Sequence, residues 1–227
     1  MANTYITQKS FRFLSDLAKN NDRDWFNENK DRFENDLREP LLGFIEDFSE
    51  HLEKLSLLFE AEAKKVGGSL SRIFRDVRFS KDKLPYKTNA GVHFRHERLK
   101  DVHAPGFYLH IDPKGSFIGV GIWHPETAVA RQIREAMDQN QAAWKRATGG
   151  KFAKTFSLGG ESLKRPPAGY DANHPLIEDL KRKDFIALAD VSRKDLCATD
   201  FMEQFAETCA VAKPFVKFLT EAVGLRF

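Results

Sequence analysis

The segment of this sequence best equipped for chemistry runs from Arg72 to Lys87, where charged and apolar side chains alternate. It contains six basic and two acidic residues, a local net charge of +4, whereas the whole 227-residue chain carries +3 and the remainder carries −1. Guanidinium groups on an ordered backbone suit two-pronged recognition of phosphate or carboxylate. The segment therefore predicts a site for a negatively charged ligand.

Each polar residue of this segment has an expected role. The predicted ligand-binding residues are Arg72, Arg75, Arg78, Lys81, Lys83, Tyr86 and Lys87. The candidate catalytic residues are Asp76 and Asp82, whose carboxylates could orient the bases or act as a general base. The apolar residues Ile73, Phe74, Val77 and Phe79 are expected to anchor the segment in the core.

An alternative interpretation assigns the same charges to structure alone. Alternating Arg, Asp and Lys side chains can form a surface network of ion pairs that satisfies itself. The excess of base over acid argues for a binding role, because two acids leave four bases without an acidic partner in the segment. Mixing charged residues with apolar anchors costs stability, which also favours a functional role for the segment.

A second candidate site is the loop Leu163–Tyr170, in which two prolines and a glycine follow two bases. Its predicted ligand-binding residues are Lys164, Arg165 and Tyr170. If this loop closes over the first segment, the two together form a cationic pocket covered by Tyr170. A well-packed crossover loop is an equally good interpretation.

Other motifs point to no defined chemistry. The glycine pairs do not form a phosphate-binding or dinucleotide-binding fingerprint. The seven histidines show no metal-binding spacing, so we predict no metal site and name no cofactor. Cys197 and Cys209 are twelve residues apart, which is typical of two free thiols in a reducing compartment.

The elements that position these residues are predicted from periodicity. Residues 7–60 show helical spacing, and Thr7 or Ser10 can cap the first helix. The polar break from Lys19 to Asp24, which includes Asn21, predicts a turn and a new cap. A second helix then carries the rings of Trp25, Phe26 and Phe33. Pro40 lies in the first turn of a third helix, which has an apolar stripe as its buried face. Short strands are predicted at 92–94, 106–111, 116–123 and 185–191. A final helix capped by Asp200 is predicted to run to about Val223 and to be kinked or divided by Pro214. This order predicts a single α+β domain over residues 1–227, an antiparallel meander covered by N- and C-terminal helices.

Composition bears on location. No apolar stretch approaches the roughly 20 residues that a membrane span needs, and the N-terminus lacks the pattern of a signal peptide. We therefore expect a cytoplasmic protein that does not bind membranes. Its charge is too small for a general binder of polyanions.

The segment from Arg72 to Lys87 resembles the signature of a family of conserved uncharacterised proteins, domain of unknown function 2461. The opening Phe11–Leu17 with Asn20–Phe26 is similar to the N-terminal motif of that family, and Leu163–Tyr170 with His174-Pro175 is similar to its C-terminal one. Ala168 stands where a basic residue is expected. The resemblance implies one domain and carries no activity.

Three functions are compatible with these observations. The first is an enzyme or sensor that binds a small anionic ligand, with phosphorylated compounds favoured. The second is a nucleic-acid binding module, in which the same bases contact phosphates and aromatic rings stack on bases. The third is a non-catalytic interaction or structural domain, in which the charged segment organises the edge of the sheet. Catalysis and oligomeric state are left open by these patterns.

Overall fold

The N-terminal part of the chain folds into helices, as its amphipathic spacing predicts. The computed structural model describes residues 3–78, 80–98 and 103–227. Helix α1 spans Gln8–Lys19, and the side chain of Thr7 caps it by accepting a hydrogen bond from the N–H of Lys9. Helix α2 spans Arg23–Glu28 and is capped by Asp22.

The predicted second helix is divided into three short pieces. After α2, helix α3 spans Lys30–Phe33 and continues into a π-helical segment, Glu34–Arg38. Helix α4 then spans Glu39–Leu55, with Pro40 in its first turn. The backbone is helical on both sides of this start, since the N–H of Glu39 donates to the carbonyl of Glu34.

Six strands form one antiparallel sheet. In chain order they are β1 (Phe59–Glu60), β2 (Ala90–His96), β3 (Gly106–Ile111), β4 (Ser116–Ile122), β5 (Ser157–Gly159) and β6 (Phe185–Val191). Their spatial order is β1-β2-β3-β4-β6-β5. The sequence prediction of an α+β fold with an antiparallel sheet against N- and C-terminal helices is confirmed.

The remaining helices lie in the second half of the chain. They are α5 (Thr127–Gln139), α6 (Gln141–Thr148), α7 (Lys151–Thr155), α8 (Ile177–Leu180), α9 (Arg193–Leu196) and α10 (Phe201–Ala222). Helix α10 starts directly after Asp200, but the Asp200 side chain makes no capping hydrogen bond. The helix also runs on past Pro214 without being divided.

Phenylalanine dominates the core between the sheet and helices α4 and α10. The ring of Phe48 on α4 lies 4.6 Å from that of Phe94 on β2 and 4.8 Å from that of Phe205 on α10. All three side chains are fully buried. Burying one such ring stabilises the fold by about 1.5–3 kcal/mol, so this cluster holds the helical layer firmly on the sheet.

Two further findings concern the described part of the chain. Its helices include none long and apolar enough to cross a membrane. Cys197 and Cys209 are both free thiols, and burial raises the pKa of each thiol above its ordinary value. Neither thiol is therefore activated as a nucleophile.

Candidate functional site

The described residues of the central charged segment, 73–78 and 80–87, fold as an irregular antiparallel hairpin, termed here the charged hairpin. The N–H of Lys87 donates to the carbonyl of Ile73 over 2.8 Å, and the N–H of Arg75 donates to the carbonyl of Pro85 over 2.9 Å. The backbone is extended at these positions, so the helical arrangement that the arginine spacing also allowed does not occur. The polar residues between the two arms form the tip.

Ion pairs within the tip occupy two of the predicted anion-binding arginines. Nη1 of Arg75 lies 2.7 Å from Oδ2 of Asp82, and Nη2 of Arg78 lies 2.6 Å from Oδ2 of Asp76. Hydrogen bonds from Arg78 hold the pKa of Asp76 well below its usual range. The N–H of Leu84, and then Arg75, lower the pKa of Asp82. A carboxylate with a lowered pKa is a weaker base, so the geometry favours a structural role for both acids.

The other predicted cations of the hairpin differ in their surroundings. Lys83 donates from Nζ to the carbonyl of Val77 over 2.9 Å, and Lys81 is exposed at the tip. Lys87 is partly buried, and burial, followed by the positive charge of Arg72, lowers its pKa. In the described part of the chain, no ion pair includes Arg72 or Lys87. These two bases repel each other, and the charge of Arg72 also acts on the carboxylate of Asp76, whose pKa it helps to lower.

Aromatic stacking fixes the base of the hairpin. The ring of Tyr86 is buried and stacks on Phe26 with 4.1 Å between centroids, and the ring of Phe74 lies 5.4 Å from that of Tyr86. Burial raises the pKa of Tyr86. Of the predicted anchors, Ile73 is buried and Val77 is partly buried, whereas the prediction is wrong for Phe74, which is half-exposed. Phe79 lies outside the described residues. Tyr86, a predicted ligand contact, is thus placed as a packing residue.

A side-chain amide joins the hairpin to the N-terminal helices. Nδ2 of Asn21 donates to the carbonyl of Tyr86, and Oδ1 of Asn21 accepts from the N–H of Tyr86, both over 3.0 Å. This pair of bonds copies the hydrogen bonding of a neighbouring strand. Because Asn21 lies in the turn between α1 and α2, that turn sets the position of the hairpin.

A cleft of about 390 Å³ opens between the first arm of the hairpin and the α3–π-helical segment, and is termed here the hairpin cleft. Its lining residues are Phe26, Lys30, Phe33, Glu34, Leu37, Arg38, Lys65, Val66, Leu70, Ser71, Arg72, Ile73, Phe74, Asn89 and Ala90. Two of its apolar side chains are unusually exposed: Val66 is 87% exposed and Phe74 is 53% exposed. The cleft thus combines an apolar wall with a charged one.

Basic groups outnumber acidic ones in the lining. The bases are Lys30, Arg38, Lys65 and Arg72, and the acid is Glu34. Arg38 pairs with Glu34 over 2.5 Å, whereas Lys65 pairs with Glu39, outside the lining, over 2.7 Å. Nε of Arg38 is buried and has no hydrogen-bond partner among the described residues.

The π-helical segment contributes Glu34, Leu37 and Arg38 to this wall. A π turn widens the helix by one residue, costs stability relative to an α-turn, and occurs often at functional sites. Here it carries both partners of the Arg38–Glu34 ion pair. This is an independent reason to regard the cleft as the candidate site.

The second predicted segment, Leu163–Tyr170, lies at the far corner of the sheet. The hairpin leads into Ala90, at the start of β2, whereas the loop follows Gly159, at the end of β5 on the opposite edge. Strand pairing places Gly159 in one cross-strand row with Ile186, Gly121, Gly106 and Arg95. That row is level with the other end of β2, so the loop and the hairpin occupy diagonally opposite corners. The structure does not bring Lys164, Arg165 and Tyr170 onto the charged hairpin.

Tyr170 contacts residues at that far corner of the sheet. Its ring meets the imidazole of His174 edge-on at 6.0 Å. Burial, followed by the charge of Asp138 on α5, raises its pKa. Lys164 and Arg165 are exposed. The interpretation as a packed crossover loop therefore fits Tyr170 better than a role as a lid.

Some residues of the cleft were not identified from sequence. Asn21 was interpreted as part of a helix-capping turn, and nothing in its neighbours indicates a partner 65 positions away. Lys30, Arg38 and Lys65 lie on separate elements, and no spacing relates them to Arg72. Among the described residues no group of three or more His, Cys, Asp and Glu side chains is placed to hold a metal ion.

Comparison with known proteins identifies the family of this chain but does not indicate an activity. The model of the family described as conserved hypothetical protein (DUF2461) matches residues 9–218. No curated protein and no solved structure matches the chain. Because the match covers most of its length, the chain belongs to this family, as its motifs indicated.

Proposed function

We propose that this member of the DUF2461 family binds a small anionic ligand in the hairpin cleft, with Arg72 as the main electrostatic anchor. The observation that supports this most directly is the excess of base in the lining, four basic side chains against one acidic side chain. A concave surface of one sign concentrates ligands of the opposite sign. Arg72 is the predicted ligand-binding residue that lines this cleft.

The relation between Arg72 and Lys87 supports the same site. The positive charge of Arg72 contributes to the lowered pKa of Lys87, so the two groups are close enough to repel each other. A ligand anion bound at Arg72 would offset this repulsion. Binding is therefore expected to raise the pKa of Lys87.

The apolar wall narrows the class of ligand. The exposed side chains of Val66 and Phe74 offer surface that a bare inorganic anion cannot cover. Sites for small organic molecules combine such a wall with a few polar groups that fix orientation. We infer an organic anion, a phosphate ester or a carboxylate, whose apolar part lies against Phe74.

The paired residues of the tip have a supporting part in this proposal. Arg75 with Asp82 and Arg78 with Asp76 hold the shape of the hairpin, and Lys81 and Lys83 add positive charge outside the cleft. Binding is better supported than catalysis, because both carboxylates are engaged by arginine. The two ion pairs support the interpretation of the tip as a surface network, and in this proposal Arg72 is the base that meets the ligand.

Isothermal titration calorimetry with inorganic phosphate, phenyl phosphate and benzoate tests the proposal. The change is Arg72→Gln, and the matched control is Arg146→Gln, which removes the same charge from an exposed position on α6. Loss of a charged hydrogen bond of about 1.5–3 kcal/mol predicts about 10- to 150-fold weaker binding of phenyl phosphate by the Arg72 variant. The control should bind as the wild type does.

Three outcomes would reject the proposal. One is the absence of binding of all three probes to the wild type. Another is equal affinity of the wild type and the Arg72 variant. The third is tighter binding of inorganic phosphate than of phenyl phosphate, which would remove the role of the apolar wall.

A nucleic-acid function has one specific observation in its favour, the exposed ring of Phe74 beside a basic arm. Exposed aromatic rings next to bases can stack on single-stranded nucleic acid. Several phosphate contacts predict a steep loss of affinity between low and physiological salt. Titration of a fluorescent oligonucleotide at two salt concentrations separates this function from a small-anion site, which predicts a shallow dependence.

A further inference from the structure

Asp184 is a buried carboxylate that takes no part in the hairpin cleft. It lies just before β6, and its residue is 1% exposed. Oδ1 accepts a hydrogen bond from the N–H of His124 over 2.8 Å, and Oδ2 accepts one from the N–H of Glu161 over 2.7 Å. A buried charge is costly unless it is hydrogen-bonded in this way, so three distant parts of the chain are arranged around this carboxylate.

The backbone around Asp184 is shaped to admit it. Gly160 has φ +86°, and a β-carbon there would overlap the side chain of Asp184. His124 has φ +46°, and among the residues that the structure describes it is the only one other than glycine with a positive φ. A left-handed conformation costs a histidine free energy, and such residues cluster at functional sites.

The strained conformation turns the ring of His124 toward the same carboxylate. Nδ1 of His124 lies 3.4 Å from Oδ1 of Asp184, and the His124 side chain is 46% exposed. A carboxylate beside Nδ1 favours the tautomer with the proton on Nδ1, which leaves the lone pair on Nε2. The imidazole thus combines a buried acidic partner with a solvent-accessible face.

An exposed aromatic surface adjoins this imidazole. Trp123 is 49% exposed, although tryptophan usually buries its large ring. Its ring centroid lies 4.4 Å from that of His124 and 6.1 Å from that of His103, which lies nearly parallel to it. His103 Nδ1 also lies 2.8 Å from the carbonyl of Trp123. A planar group of a ligand could rest on this surface beside His124.

We propose that His124 is the nucleophile of a second site, which hydrolyses carboxylic esters of phenols. Asp184 is its positioning residue, and Trp123 contacts the aromatic ring of the ester. This site is independent of the hairpin cleft. It lies where β4 ends and β6 begins, level with the far end of β2 from the hairpin.

The proposed reaction has two steps. The lone pair on Nε2 attacks the acyl carbon, the bond from that carbon to the phenolic oxygen breaks, and the electron pair leaves on the phenolate. Water then adds to the acyl-imidazolium, the carboxylate leaves, and two protons pass to solvent, which restores the neutral imidazole. Asp184 stabilises the positive charge that the ring carries between the two steps.

Turnover of p-nitrophenyl acetate by the full chain, measured as release of p-nitrophenolate at about pH 7.5, tests this inference. The decisive variant is His124→Gln. The matched control is His51→Gln, which removes an imidazole from α4. An imidazole that acts with a partner typically accelerates a reaction by about 10²–10⁴-fold. We therefore expect the rate of hydrolysis to fall by at least about tenfold in His124→Gln and to stay unchanged in His51→Gln.

Two more variants separate catalysis from structure. Trp123→Leu should raise KM with little change in kcat, and Asp184→Asn should lower kcat with little change in KM. A purely structural Asp184 would instead lower the melting temperature and leave kcat of the folded fraction unchanged. If Asp184→Asn does not fold, the exposed His124 variant still decides the matter. Absence of turnover by the wild type, or equal rates for the wild type and His124→Gln, would overturn the proposal.

Discussion

The contact between Asn21 and Tyr86 provides the sharpest test of how the N-terminal turn positions the charged hairpin. Replacing Asn21 with Ala removes both side-chain hydrogen bonds to the backbone of Tyr86. Each such bond contributes about 1 kcal/mol net, and a buried group left without a partner costs about 1–3 kcal/mol. Because Tyr86 is 4% exposed, water reaches its backbone poorly, and we expect a total loss of about 2–4 kcal/mol.

The magnitude can be measured by urea unfolding followed by circular dichroism. Thermal unfolding gives a second measurement. For a chain of this size, a loss of 1 kcal/mol in the free energy of unfolding lowers the melting temperature by about 2–4 °C, so Asn21→Ala should melt about 4–16 °C below the wild type. The matched control is Asn173→Ala, at an exposed loop position, which should change the free energy of unfolding by less than about 0.5 kcal/mol. Asn21→Asp keeps the acceptor and loses the donor, so its loss should lie between the two.

A small effect would refute the reasoning. If Asn21→Ala lowers the free energy of unfolding no more than the control does, the amide does not position the hairpin. A large loss of stability together with unchanged binding of phenyl phosphate at Arg72 would refute a different step, namely that the N-terminal turn sets the geometry of the cleft.

Three further outcomes are expected. Gly160→Ala should lose about 2 kcal/mol or more in urea unfolding, because its φ of +86° is left-handed and its β-carbon would meet a buried carboxylate, whereas Gly115→Ala, with open space around it, should lose less than about 1 kcal/mol. Arg134→Met should lose about 2–4 kcal/mol, because the buried guanidinium donates to two backbone carbonyls over 2.6 Å each, whereas exposed Arg131→Gln should lose about 0.5 kcal/mol or less. Burial raises the pKa of Tyr108 to about 12, so its neutral form is favoured in the fold. The contribution of neutral Tyr108 to the free energy of unfolding is fully present below the ordinary pKa of about 10 and should be lost as pH rises through about 12. The urea midpoint of Tyr108→Phe should therefore fall less steeply at alkaline pH than the midpoint of the wild type.

Local patterns predicted the fold well because they report interactions between near neighbours in the chain. The alternation over 185–191 gave the strand β6 with the same bounds. The apolar stripe after Pro40 gave the buried face of α4. The division of the predicted second helix was not foreseen, because its rings still recur at nearly helical spacing while the π-helical segment changes the backbone.

The candidate site was predicted only in part, because its decisive contacts join distant positions. Counting charges from Arg72 to Lys87 gave two acids for six bases. It could not show that Asp82 selects Arg75 and Asp76 selects Arg78, since each pair depends on the bend at the tip. Arg72, at the start of the segment, forms no ion pair with the residues that the structure describes, although its charge helps to lower the pKa of Asp76.

Burial could not be read from residue type either. Tyr86 is polar enough to contact a ligand, and its place next to Lys87 suggested that role. In the fold its ring stacks on Phe26, a residue 60 positions earlier in the chain. A tyrosine in a basic segment is therefore weak evidence for a ligand contact unless its neighbours in space are known.

The three motifs shared with the family separate into two structural units. Asn21 and Phe26 of the N-terminal motif contact Tyr86 of the central one through hydrogen bonds and stacking, so these two motifs together build one corner of the molecule. The C-terminal motif, with Tyr170, lies at the opposite corner, near the loops that enclose Asp184. A single binding site cannot account for all three motifs. Variants at Asn21 should therefore alter anion binding at Arg72 and leave ester hydrolysis at His124 unchanged.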